Sequence, residues 1–466
     1  MDDRSVYTPV RSRPDDLGDG TLELSGLRGI DPNVTLLGLT SMFTDLASEM
    51  VTSVIPLYLT LTFGFSLVQF GTIDGLYQGM AAITGLWAAL IADKRRRHKE
   101  VAVVGYSMST VSRLGLLMAH AWAPLVGFLY LDRLGKGIRT APRDALISLS
   151  STKARLGESF GVHRALDTAG AVAGPIVASL ILSQNATGYR SVFVCSFFAS
   201  CIGLGVLVFF VRNKREEAAA TDDEPVALRP VDQVDPVDPA AGTDATGVVP
   251  VAELAAAAPA RPHVSVRTAL ALLRDRRFAA VLGVAVVLAL VVPGDALLYL
   301  TYARQADLAP ALFPLLYAGA SVGFLVLAIP LGRLADRVGR ARVFLAGEAM
   351  LFGVFALLGA GLAGLAPLLL LLLLYGGFYA ATDGIVTAMA SAALPRHLRT
   401  TGLAILGTAV ALAHLLSAIG WGAIWEQWGA TTASHVFMVG LVVSFVIGVV
   451  LLRPTRAPLD AVEARS

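Results

Sequence analysis

Apolar residues run along this chain in stretches too long and too continuous to belong to the surface of a water-soluble protein. Stretches near 34–61, 67–92, 101–121, 124–146, 157–183 and 190–211 each approach the roughly 20 apolar residues that a helix needs to cross a bilayer. A second set follows near 277–302, 311–334, 342–363, 366–393, 401–424 and 434–452. The pattern predicts twelve transmembrane helices, of which the fourth and fifth are too polar for a simple hydropathy window.

The loops test that count. On one side the connections read DKRRRHKE (93–100), TKAR (152–155), RLADRVGRAR (333–342) and PRHLR (395–399). On the other they read TFGFS, HAWAP, SQNATGYR, ARQADLAP, AGLAP and EQWGATTASH, with Arg190 and Arg304 as their only Lys or Arg. Basic loops stay in the cytoplasm, so the alternation predicts an even number of spans in the cell inner (plasma) membrane, both termini cytoplasmic. The polar start, MDDRSVYTPVRSRPDDLGDG, has no apolar core and predicts no cleaved signal. Residues 212–271 are rich in Ala, Pro and Asp and predict a disordered cytoplasmic linker. The chain thus divides into a tail (1–32), a six-helix bundle (33–211), the linker, a second bundle (272–453) and a second tail (454–466).

Composition agrees, with 55% hydrophobic and 15% charged residues and a mean hydropathy of +0.67. A soluble chain would carry about a quarter charged residues. The net charge of +2 matters less than its placement. Cys195 and Cys201 lie in one apolar run and face different directions on a helix, so neither a disulfide nor a metal site is expected. LGKGIRT lacks the spacing of a phosphate-binding loop, and no nucleophile turn has a plausible context. These readings predict no enzyme, no metal and no cofactor. The expected partners are a small-molecule substrate and the lipid bilayer, not nucleic acid, and the expected state is a monomer.

The two halves repeat. Tyr58 corresponds to Tyr299, Asp93 to Asp336 and Arg155 to Arg399, at nearly constant offsets. Two parallel six-helix repeats place a substrate midway between the halves. The motifs are specific. GRLADRVGR, carrying Gly332, Asp336, Arg337, Gly339 and Arg340, resembles the loop between the second and third helices of each half in the major facilitator superfamily. RLGKG (Arg133 to Gly137) resembles its fourth-helix motif. GAVAGP, with Gly170, Gly174 and Pro175, resembles the fifth-helix motif associated there with proton-driven antiporters. The first-half loop keeps Asp93 and the basic run but has Ala89 and Arg96 where glycines are expected. FTDLASEM with GKGIRTAPRDALI resembles a poorly characterised bacterial and archaeal branch. The resemblance implies an all-α polytopic membrane protein of two pseudo-symmetric six-helix bundles. It also implies alternating access, a proton gradient as energy source, and a cavity lined by spans 1, 4, 7 and 10.

Charges at membrane depth cost at least about 2.5–3.5 kcal/mol each on insertion scales, so they face a cavity or a partner. Asp45 and Glu49 share a face of span 1, and His163 and Asp167 share one in span 5 with Arg164 beside them. A carboxylate in a low-dielectric cavity can hold a proton near neutral pH, which makes these four the proton-coupling candidates, His163 and Asp167 after Asp45 and Glu49. Span 4 carries Asp132, Lys136, Arg139 and Arg143 on one stripe, with Arg133 and Asp144 a quarter-turn away. Asp132, Arg133, Lys136, Arg164, Asp295, Asp383 and His414 are the substrate-cavity candidates. Arg139, Arg143, Asp144, Asp93 and Asp336 belong with a cytoplasmic gate. Structural ion pairs, Asp132 with Lys136 or Asp45 with Arg133, are the plainer alternative, and Arg113 and Glu348 read as scaffold. The resulting expectation is a proton-coupled efflux antiporter. Uptake of an anionic solute, from the positive excess on span 4, is its rival, and a non-transporting sensor that keeps the fold is a more distant one.

Overall fold

The computed structural model describes residues 30–95, 97–152, 155–213, 272–394 and 398–452. Residues 1–29 of the first predicted tail, the second tail and nearly all of the linker, with Arg96, lie outside the described residues, as do the side chains of Asp93 and Arg399.

The spans appear in the predicted order. The first bundle comprises span 1 (Pro32–Leu57), span 2 (Leu67–Arg95), span 3 (His98–Met118), span 4 (Trp122–Leu149), span 5 (Leu156–Gln184) and span 6 (Tyr189–Gly205), which a wider π turn extends to Phe210. Span 7 is two helices, Arg276–Leu290 and Asp295–Gln305; spans 8, 9 and 10 are Pro314–Val338, Arg340–Gly359 and Leu365–Ala393. Spans 11 and 12 share Arg399–Leu451, broken at Gly429, where φ is +87°. By length and composition alone span 5 qualifies as a membrane span, so its polar start does not hide it. Span 4 does not, because its charges fall within the crossing stretch.

Pro293 removes a backbone donor and Gly294 takes φ +90°, so span 7 breaks partway and Asp295 begins its second helix. A single apolar run from 277 to 302 is therefore corrected to two helices with an acidic residue at the break.

Within the first bundle span 1 packs on spans 5 and 6, and span 3 on spans 4 and 6; in the second, span 10 packs on spans 8 and 9. The halves meet where span 2 lies on span 11 and span 5 on span 8, contacts that the repeat exchanges with each other. At the first interface a methyl on Gly71 would sit 2.6 Å from the Ala418 carbonyl oxygen. One on Gly75 would sit 2.7 Å from the Leu415 Cα, and one on Gly422 2.7 Å from the Leu67 carbonyl oxygen. Small residues thus let the two backbones touch, the usual route to close packing where the hydrophobic effect is absent. These contacts occupy the halves of spans 2 and 11 remote from the basic loops. On the same face Val68 N–H donates to Glu426 Oε1 across the seam at 3.0 Å, and span 5 meets the short helix Pro310–Leu312 of the second half. That face is closed.

Candidate substrate and proton site

Glycine packing sets the site. A methyl on Gly174 would sit 2.7 Å from the Leu46 carbonyl oxygen, so GAVAGP presses span 5 onto the backbone of span 1. Asp167, two turns before Gly174, is thereby brought beside Asp45. Gly105 and Gly135 do the same for spans 3 and 4, each methyl meeting the other's carbonyl oxygen at 2.8 and 2.6 Å. In the second half, Gly323 and Gly376 join spans 8 and 10.

The stripe on span 4 divides. Asp132 turns into the first bundle, where its Oδ1 accepts from Arg113 at 3.0 Å. Arg113 also donates to the Ser48 hydroxyl (2.6 Å), the Ser109 carbonyl (2.6 Å) and the Ser196 hydroxyl (3.1 Å). Asp132 is therefore tied to a buried scaffold partner on span 3, not to Lys136, and lines neither chamber of the central cavity. Arg139, only 2% exposed, donates to the Ser109 hydroxyl at 2.6 Å, stacks on Tyr106 and reaches Asp45 at 3.6 Å. It is buried well inside the bundle, where the sequence suggested a gate residue near the interface. Arg143 pairs with Asp144 at 2.9 Å and comes within 3.9 Å of Asp167, which Arg164 meets at 3.4 Å. His163 is 4% exposed, and among the described residues neither ring nitrogen has a hydrogen-bond partner.

Two chambers lie between the halves and meet at Glu49, Asp295 and Tyr317. The one nearer the basic loops measures about 340 Å³ and is lined by Asp45, Lys136, Arg164, Asp167 and Pro175 among others. The other, about 210 Å³, is lined by Thr52, Phe70, Asp74, Tyr77 and Arg133 besides the three shared residues. Asp295 Oδ1 accepts from the Tyr379 hydroxyl at 2.6 Å and the Tyr375 hydroxyl at 2.8 Å. Arg133 lies over the Tyr77 ring, its guanidinium carbon 3.9 Å from the centroid, and its buried Nε has no hydrogen-bond partner among the described residues.

Asp74 was missed by sequence reasoning. It lies in GTIDGLYQG and a methyl on Gly294 would sit 3.1 Å from its Oδ2, so it faces the break in span 7 from the opposite half. The signal was present, since an acid in an apolar span needs a reason. The tyrosines around Asp295 were missed too, because hydroxyls in a core carry no pattern.

Asp383 and His414 line a separate space of about 260 Å³ inside the second bundle, and His414 Nδ1 contacts the Val292 carbonyl at 3.1 Å. Among the motif residues, Gly339 ends span 8 with φ +99°, and Asp336, Arg337 and Arg340 are exposed. Among the described residues no group of three or more His, Cys, Asp or Glu could hold a metal ion.

A model of the Major Facilitator Superfamily matches residues 37–305 and 294–465. An uncharacterized MFS-type transporter of Methanocaldococcus jannaschii is 28% identical over 427 residues, covering 91% of this chain and 95% of that one. An uncharacterized Mycobacterium tuberculosis protein is 28% identical over 157 residues, 34% of this chain and 38% of that one. Among solved structures, a POT family transporter in complex with 5-aminolevulinic acid superposes with a TM-score of 0.68 at 12% identity, over 90% of this chain and 95% of that one. The nucleoside transporter NupG gives 0.63 at 14% identity, over 92% of this chain and all of that one. At such identities these structures share the fold alone.

Proposed function

The chain belongs to the major facilitator superfamily, and from that premise we propose that it is a proton-coupled antiporter exporting a small molecule across the cell inner membrane. The basic loops are assigned to the cytoplasm, and the closed face is then the outer one.

One observation carries the reading. Asp45 and Asp167, from spans 1 and 5, sit side by side in the inner chamber, within reach of Arg139, Arg143 and Arg164. Two like charges in a low-dielectric site repel, and one proton relieves that repulsion. The surrounding arginines can shift between the two carboxylates as the bundles rock, favouring proton uptake in one conformation and release in the other. A substrate that favours the opposite conformation then competes with the proton through the rocking of the bundles, which is the logic of exchange. His163, buried with no hydrogen-bond partner among the described residues, is a second carrier in reserve.

Anion uptake draws less support than the sequence offered it. Of the four cations on span 4, Arg139 is occupied by Asp45 and Arg143 by Asp144, which leaves Arg133 and Lys136 without an ion pair among the described residues. The test is uptake into proteoliposomes with an imposed pH gradient, screened against organic cations and anions. Transport should follow the gradient in the native protein, and Asp45→Asn should lower gradient-driven flux about tenfold or more while gradient-free exchange persists. Flux of the native protein that ignores the pH gradient overturns the coupling.

A further inference from the structure

The chamber of about 210 Å³ beside span 2 holds an unusual set of charges. Glu49, Asp74 and Asp295 line it against the lone guanidinium of Arg133. Asp74 receives no hydrogen bond and no ion pair among the described residues, and Asp295 offers its Oδ2 while both tyrosine hydroxyls hold Oδ1. Arg133 is the converse. It is more than nine-tenths buried, lines the chamber, forms no ion pair among the described residues, and its Nε lacks an acceptor. Burying an unpaired charge is costly, and evolution retains such groups where a ligand or partner completes them. The break in span 7 falls here as well, and an interrupted helix at membrane depth is a feature of transporter binding sites.

We propose that this chamber binds a small amphoteric molecule. Its ammonium lies between Asp74 of the first half and Asp295 of the second; its carboxylate meets Arg133; and its apolar body packs on Phe70, Tyr77 and Tyr317. This inference rests on the reading of the chain as a small-molecule transporter and names the substrate class. A zwitterion offers a cation to Asp74 and Asp295 and an acceptor to Arg133, whereas a simple cation leaves the buried Arg133 Nε without an acceptor. Because Asp74 and Asp295 come from different halves, rocking of the bundles separates them and releases the ammonium, which links occupancy to conformation.

The experiment measures equilibrium binding to the purified full chain at one pH, without a gradient. Three probes of matched shape are compared: phenylalanine, phenethylamine and 3-phenylpropanoate. Phenylalanine should bind about tenfold tighter than either singly charged probe, a difference of about 1.4 kcal/mol. Asp295→Asn and Asp74→Asn should weaken phenylalanine and phenethylamine alike. Arg133→Gln should reduce phenylalanine to the level of phenethylamine. Phenethylamine binding as tightly as phenylalanine to the native protein would identify a cation site and overturn the proposal, as would failure of all three probes to bind. Neither comparison in the native protein depends on a variant folding. The coupling reading fails by a different result, flux that ignores the gradient, so the two failures are separable.

Discussion

At the scale of single residues, the decisive feature is how span 4 shares its charges among neighbours. A helix advances about 100° per residue, so Arg139, Asp132, Arg143 and Lys136 fall in that order within a wedge of roughly 60°. The sequence places them on one stripe and cannot say where the stripe crosses an interface. Gly105 and Gly135 draw span 3 against one edge of it, so Asp132 and Arg139 face inward while Lys136 lines the cavity. Arg133, about 100° from Asp132, turns to span 2 and Tyr77. The Arg113–Asp132 pair is then structural, and breaking it strands a charge in the core. Asp132→Leu should destabilise the fold by about 3–5 kcal/mol, and adding Arg113→Met should recover much of the loss. Thermal unfolding in detergent checks this; a single variant as stable as the native protein would return Asp132 to the list of site residues.

Elements were legible in proportion to how plainly length and charge speak. Twelve spans and their order followed from apolar runs and the alternation of basic loops, because both reflect the bilayer and not the partner helix. The break in span 7 was written as VVPGD but hidden inside a run long enough to cross without it. The span 2–span 11 seam was hidden for another reason: glycines at Gly71 and Gly75 read equally well as loose packing or as backbone contact. The contact distances assign them to the seam. Gly75→Val should therefore push span 2 off Leu415 and disfavour closure of the face remote from the basic loops. With Cys195 and Cys201 replaced by Ala, spin labels at Ser66→Cys and Leu308→Cys, on loops of the two halves at that face, should report a longer mean distance in that variant. An unchanged distance distribution would mean that the seam does not set the conformational balance.

For the molecule as a whole, the repeat supplies more than a count of helices. Span 2 on span 11 and span 5 on span 8 are one contact written twice, since adding six to each member of either pair returns the other. The halves therefore have symmetric hinges, and opening of either face must change both seams together. Asp45 and Asp167 lie beside one seam, and Asp74 and Asp295 bridge the halves beside the other. The proposed proton and substrate sites are thus both tied to the relative position of the bundles. This arrangement is testable by covalent capture. A methyl on Gly79 would sit 3.7 Å from the Ala411 Cβ, within the roughly 3.5–4.5 Å that a disulfide spans. In a background with Cys195 and Cys201 replaced by Ala, Gly79→Cys with Ala411→Cys should link the halves on mild oxidation. The link is read as fragments that stay joined after proteolysis at a site inserted in the linker and separate with reductant. Transport should stall in the linked protein and return on reduction, because spans 2 and 11 can no longer part. A link that forms and leaves flux intact would place the moving seam between spans 5 and 8 alone, and the symmetry of the two hinges would fail.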